Sequence, residues 1–465
     1  MSTNAKTSPS IAGVVTAASF GFVVVQLDVT IVNVALPAIG KSLEAGIAEL
    51  QWVVDAYSLV FAVLLLSAGV IGDRFGSRRA YLAGFWLFAL ASLVCGLAPN
   101  APLLIAARAA QGIGAALLVP SSLALLNHAS GHDAALRARM VGIWTAAGGV
   151  SIAAGPIVGG LLVASVGWRA IFLVNIPICA LAVFLTLRAT AKTQPASKQE
   201  SLDLPGQVLA IAALTGLVGA VIEARPLGLT HPVVIGGAVI AVVAGAAFIA
   251  VEQRVREPML PLKFFGRPNF ATATLFGVAV NLTYYGVIFV LSLYLQHVKS
   301  WPAIQAGLAY LPLTATFIAS NMASGAIAAR VGSRLPMIAG GLIGAVGFGL
   351  LALLNADSSY WAMLPPFILI PAGMGLAVPA MTTAILGSVE RSASGVASAV
   401  LNTARQAAGA IGVALFGALA SGDQIVSGLQ ISSLISVALV LCGAGLAAIG
   451  MRDTSARQRP AENNA

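Results

Sequence analysis

Apolar residues fill this chain in long, nearly unbroken runs, and short polar stretches separate them. Fourteen runs can be drawn, at roughly 12–37, 50–71, 80–97, 102–127, 140–165, 168–188, 205–223, 232–251, 268–296, 302–328, 335–354, 360–387, 396–420 and 429–450. Each approaches or exceeds the length of about 20 residues that a helix needs to cross a bilayer. The pattern therefore predicts an all-α polytopic membrane protein with 14 transmembrane helices. An even number of crossings returns both ends of the chain to one side. The first run is far longer than the apolar region of a cleaved signal, about 7 to 15 residues, and it carries Asp28, so it reads as a retained helix.

Two ten-residue stretches, GVIGDRFGSR at 69–78 and GAIAARVGSR at 325–334, match at six positions at an offset of 256. Each follows a long apolar run and reads as the turn that ends it. The repeat predicts two six-helix bundles, residues 1–190 and 257–465, the second closing in a short tail. Between them, residues 191–256 hold two additional helices with a polar linker, ATAKTQPASKQESLDLPGQ at 189–207. The stretch EQRVREPMLPLKFFGRPNF at 252–270 mixes basic and apolar residues with three prolines and is expected to lie along the interface rather than cross. Two paired halves with two surplus helices form a transporter plan, because bundles related about an axis normal to the membrane can rock around a site near the midplane. A channel or scaffold that inherited a duplication would show the same repeat.

Composition narrows this further. Only 9% of the residues are charged, against about 25% in soluble proteins, and the mean hydropathy is +0.94. No length remains for a soluble domain as well. Of the 25 Lys and Arg, 19 fall on the N-terminus, the even-numbered loops and the C-terminal tail, against Lys41, Arg169, Arg225 and Lys299 on the other side and Arg108 and Arg405 within spans. That asymmetry predicts cytoplasmic termini. The net charge of +9 is thus an orientation signal and a contact for the lipid bilayer, and it calls for no nucleic acid. Cys95, Cys179 and Cys442 lie within spans without metal-ligand spacing and read as packing residues, so no metal is expected.

Charges inside apolar runs are the candidate chemistry. Asp28, Asp55 and Arg108 lie in the first, second and fourth spans. At about 1.5 Å per residue, Asp28 and Arg108 sit roughly 9 to 14 Å from the outer ends of their helices, and Asp55 is nearer the outer mouth and its water. Unpaired charges in lipid cost several kcal/mol, so these groups should face the interior and one another. A carboxyl there, with a guanidinium whose distance changes between states, can load and release a proton. Asp28 is the candidate carrier with Arg108 as partner, the alternative being a purely structural pair.

The turn GDRFGSRR crowds Asp73, Arg74, Arg78 and Arg79 among Gly69, Gly72 and Gly76. With Arg330 and Arg334 of the second copy it reads as a cytoplasmic gate, and Ala329 standing where Asp73 stands makes the two copies unequal. The fifth span holds GGVSIAAGPIVGG, in which Gly155, Gly159 and Gly160 offer a close-packing face and Pro156 removes a backbone bond. Arg405 near mid-depth of the thirteenth span can hold a carboxylate of substrate or protein, or cap backbone carbonyls. Gln26, Asn33, Trp52, Tyr57, Asn281, Tyr284, Tyr285, Phe289 and Asn402 could together line an amphiphilic cavity. Glu223 beside Arg225 reads as an interface pair. The only GKS, at 40–42, has Ala35 where a phosphate loop needs glycine, which argues against ATP coupling.

From about Ala12 to Met451 the chain resembles the fourteen-span drug:proton antiporters of the major facilitator superfamily, and antibiotic exporters of the methylenomycin-resistance kind among them. The resemblance is carried by LDVTIVNVALP at 27–37, GVIGDRFGSRR at 69–79, RAAQGIGAALLVP at 108–120 and GPIVGG at 155–160, with WVVDAYSLV at 52–60 and GWRAIFLVNIP at 167–177. It implies export rather than uptake, a part for Asp28 and Arg108 in proton coupling, and protons in place of any cofactor. It also implies a bacterial cell membrane, a small-molecule substrate, a working monomer and no enzymatic activity. The expected function is proton-coupled export of amphiphilic drugs or antibiotics by alternating access. The alternative on the same fold is proton-coupled transport of an endogenous metabolite or nutrient.

Overall fold

The computed structural model describes residues 10–131, 133–190, 203–255, 258–390, 394–422 and 424–451. Long apolar segments can satisfy their backbone groups only internally, and helices do so along every run of this chain. The first half comprises α1 (Ile11–Leu43), α2 (Ile47–Phe75), α3 (Ser77–Leu97), α4 (Ala101–Ser130), α5 (Ala134–Ser165), α6 (Ala170–Leu173) and α7 (Asn175–Ala189). Then come α8 (Leu204–Leu227) and α9 (Pro232–Glu252). The second half comprises α10 (Pro268–Leu293), α11 (Ala303–Ala309), α12 (Leu311–Val331), α13 (Arg334–Leu351), α14 (Tyr360–Gly387), α15 (Ser394–Leu419) and α16 (Ile425–Gly450). Among the described residues no strand occurs.

Side chains fix several helix starts by accepting from free N–H groups of the first turn. Ser10 caps α1, Asn100 caps α4, Asp133 caps α5 and Asp203 caps α8. Among the described residues, thirteen helical segments are long and apolar enough to span, with α6 and α7 forming one and α11 and α12 another. Helix α15 is the fourteenth long helix, and Asn402, Thr403, Arg405 and Gln406 dilute its apolarity.

The repeated stretches are not loops. Helix α2 runs to Phe75 and α12 to Val331, so the turn contracts to Gly76 and Gly332, with φ of 91° and 76°. Only glycine takes that backbone without strain, which accounts for its recurrence at an offset of 256.

Helix α8 packs on both α2 and α15, and α9 packs chiefly on α8. The additional pair thus flanks the seam where the halves meet through α2 with α15 and α5 with α11. The 252–270 stretch does not cross: α9 stops at Glu252 and a 3-10 turn at Leu262–Gly266 leads into α10. Most of the 189–207 linker lies outside the described residues, as do Lys6, Lys192, Lys198, Arg256, Arg391, Arg452, Arg457 and Arg459 of the charge count.

Call the face where α1 begins and α16 ends the terminal face, and the other the distal face. Side-chain hydrogen bonds between the halves, among the described residues, lie toward the distal face. Gln51 donates to the carbonyls of Val413 and Ala414, Ser292 to that of Asn33, and Gln296 to that of Val34. Toward the terminal face, Gly69, Gly142 and Gly325 have open space beside them. The described side-chain bonds thus join the two halves at the distal face.

Candidate functional site

Asp28 on α1 is fully buried, and its carboxylate is held from three sides. Arg108 on α4 forms an ion pair with it through Nη1. Gln111, one turn beyond Arg108, donates to Oδ1 at 2.9 Å, and Asn175, the first residue of α7, donates to the same oxygen at 3.1 Å. Arg108 is fixed in turn, donating from Nε to the Val53 carbonyl at 3.0 Å and from Nη1 to Gln111 Oε1 at 2.7 Å. Ser92 on α3 accepts from Gln111, and the Tyr57 ring lies 4.3 Å from the guanidinium carbon. Five helices therefore converge on one carboxylate. Sequence reasoning missed Gln111, Asn175 and Ser92, although Gln111 stands on the same helical face as Arg108 and inside the RAAQGIG motif.

Asp55 does not reach outer water. It is fully buried on α2, and both carboxylate oxygens lack a hydrogen-bond partner among the described residues. The reason is α8, which covers this part of α2. Trp52 donates to Glu223 Oε1 at 3.2 Å, and Leu59 clusters with Val218 and Ile222 of α8 and Ala410 and Ala414 of α15. Glu223 and Arg225 do not pair with each other: Arg225 donates to Gln424 and to the Ala418 carbonyl, so α8 is tied to both halves.

A cavity lies between the halves, and Asn33, Tyr57, Arg108, Tyr285, Gln406 and Gly409 are among its lining residues. A second one, bounded by Asn33, Pro156, Tyr284, Tyr285 and Tyr310, adjoins it across Asn33 and Tyr285. Of the expected lining residues, Asn281 sits next to Arg405, whose Nε donates to its Oδ1 at 3.3 Å. Trp52 and Phe289 are corrections, since Trp52 packs on Gly219 and Glu223 of α8 and Phe289 is fully buried in the apolar core. Asn402 donates to the Ser398 carbonyl of its own helix, and Gln26 is half-buried on α1.

The glycine motif of α5 divides its contacts. A Cβ at Gly155 would run into Thr30 Oγ1 and one at Gly159 would meet the Ile31 carbonyl at 2.9 Å, so both press on α1 within the first half. The contact across the seam belongs to Gly160, whose Cβ would meet the Ala303 carbonyl at 2.7 Å, and to Pro156, whose carbonyl lies against Gly307.

The repeated turns staple each half to itself. Arg78 donates to the Leu187 carbonyl at 3.0 Å and to Thr190 Oγ1 at 3.1 Å, and Arg334 donates to the Ala448 carbonyl. Each arginine joins the helix after the turn to the last helix of its own half. Gly72 packs near Ser121 of α4, Asp73 and Arg330 are exposed, and Arg74 lies over Phe75. Asp73 makes no ion pair among the described residues. Cys95 and Cys179 are buried and Cys442 is exposed.

Two helical halves, a closing seam of glycines and a buried charge pair beside an interfacial cavity are the features of a membrane transporter. The model of the Major Facilitator Superfamily matches residues 18–413, and the chain belongs to that family. It is 40% identical to a methylenomycin A resistance protein of Streptomyces coelicolor, over 87% of this chain and 84% of that one. It is 36% identical to a methylenomycin A resistance protein of Bacillus subtilis, over 86% of each. Among solved structures, the human organic anion transporter MFSD10 (TETRAN) superposes with a TM-score of 0.65 at 15% identity, over 95% of this chain and all of that one, a likeness of fold.

Proposed function

We propose that this protein is a proton-coupled antiporter that exports amphiphilic drugs or antibiotics across a bacterial cell membrane, with the terminal face in the cytoplasm. The carrying observation is the Asp28 site: a carboxylate in the membrane interior, held by Arg108 and two amides. Arg108 also lines the cavity between the halves. In this closed-outside state Asp28 is paired with Arg108, the arrangement expected after a proton has been released inward. Opening to the outside would break the pair and present Asp28 for reloading. Substrate entering from the cytoplasm would occupy the cavity beside Tyr57 and Tyr285, next to the group whose pairing reports the proton.

Relatives named for resistance to an antibiotic support the direction of transport, and the lysine and arginine distribution supports the orientation. Everted vesicles energised by respiration should lose part of their proton gradient when an exported compound is added. Asp28→Asn vesicles should show no such loss, while Asp28→Glu retains part of it. Full gradient-driven transport by Asp28→Asn would refute the carrier role.

A further inference from the structure

The charges in the membrane interior balance in number but not in place. Arg108 is neutralised by Asp28, and Asp55 is fully buried on α2. Arg405 is left with no ion pair among the described residues, half-buried on α15. Among the described residues it makes a hydrogen bond from Nε to the Asn281 amide oxygen. Asn281 is itself held, because its Nδ2 donates to the Gly277 carbonyl at 2.8 Å and so turns its oxygen toward the arginine. A guanidinium gripped by Nε keeps both terminal nitrogens free, and that pair of nitrogens is the edge that takes a carboxylate in bidentate fashion.

An uncompensated cation at this depth costs several kcal/mol unless an anion joins it, and the described residues pair none with it. The surroundings add a place for an apolar body. One turn along α10 from Asn281 stands Tyr285, whose ring lies so close to α15 that a Cβ at Gly409 would come within 2.9 Å of it. Tyr285 also lines the cavity together with Val29, Val32 and Val54. Arg108 lines the same cavity.

We infer that the exported molecules are organic acids carried as carboxylates, with the carboxylate on Arg405 and the apolar part between Tyr285 and the valines. This rests on the export reading and names its substrate class. Asn281 is a positioning residue in this arrangement, since it orients the guanidinium without touching the anion.

The test is binding to the purified protein in nanodiscs at neutral pH, using matched probes that share one ring system. These are indole-3-acetate, indole-3-acetamide and tryptamine, with the corresponding naphthalene acid, amide and amine as a second set. The acids should bind about tenfold or more tightly than the amides, and Arg405→Gln should erase that preference by lowering acid affinity far more than amide affinity. Arg405→Lys, which keeps the charge but not the fork, should retain part of it and shows that the fold survives at this position. Asn281→Ala should weaken acid binding less than Arg405→Gln does.

Equal affinity for acid and amide, preference for the amines, acid binding unchanged in Arg405→Gln, or no binding by any probe would overturn the inference. Proton exchange in vesicles separates this from the export reading. Loss of acid preference with Asp28-dependent exchange intact removes only the substrate class. Acid binding without Asp28-dependent exchange removes the transport mechanism instead.

Discussion

Two buried aspartates on adjacent helices make opposite demands on the fold. Asp28 accepts from Arg108, Gln111 and Asn175, so its charge is compensated by the chain itself. Removing one partner of such a pair strands the other, at a cost of about 3–5 kcal/mol. Asp55 accepts from nothing among the described residues. Replacing an unsatisfied buried carboxyl by an apolar side chain of similar size removes a penalty of about 1–3 kcal/mol. Thermal unfolding of the purified protein should therefore show Asp28→Leu melting well below wild type and Asp55→Leu melting at or above it. If Asp55 also carries a proton through the cycle, the stabilised Asp55→Leu variant will transport more slowly, and vesicle exchange measured on the same preparation reads that directly. Equal destabilisation by both substitutions would mean that Asp55 has a partner in the state that dominates in solution.

At the level of elements, closure of the distal face depends on two helices meeting backbone to backbone. Gly160 and Gly307 allow α5 and α11 to approach until a Cβ at Gly160 would lie 2.7 Å from the Ala303 carbonyl and one at Gly307 would run into the Pro156 carbonyl. Gly160→Val or Gly307→Val inserts atoms where none fit, a strain of about 1–3 kcal/mol, and that strain vanishes when the seam opens. Spin labels at the distal ends of α5 and α11 should report a longer mean distance in either variant, whereas Gly142→Val, beside open space, should leave it unchanged. Much of this was legible in the sequence. GPIVGG marks the contact, charges in apolar runs mark Asp28 and Arg108, and the spaced copies of a glycine mark the two turns. The burial of Asp55 was not legible, because it depends on where the additional helix α8 docks, and no local pattern encodes a contact between residues some 160 positions apart, as between Leu59 and Val218. Trp52 and Phe289 were misplaced for a related reason. An apolar helix in a bundle has several buried faces, and sequence periodicity does not say which of them meets the cavity.

For the whole molecule, the question is whether one proton can move two bundles. Every inter-half side-chain bond among the described residues lies toward the distal face, so the two states differ by a seam of a few hydrogen bonds and glycine contacts. Inverting a population from 1:99 to 99:1 takes about 5.5 kcal/mol. The ion pair at Asp28 is worth about 3–5 kcal/mol when one partner is lost, so loss of the pair accounts for most of the inversion but not all of it. Asp28→Asn imitates the protonated carboxyl and should shift the molecule strongly toward the distal-open state without completing the change. Label pairs spanning α2 and α15 at their distal and terminal ends read this as two distances moving in opposite directions. The wild-type protein should show the same redistribution on acidification, and the Asn variant should no longer respond to pH. Distances that follow pH equally in both proteins would place the decisive proton elsewhere, with Asp55, buried on α2 without a hydrogen-bond partner among the described residues, the next group to substitute.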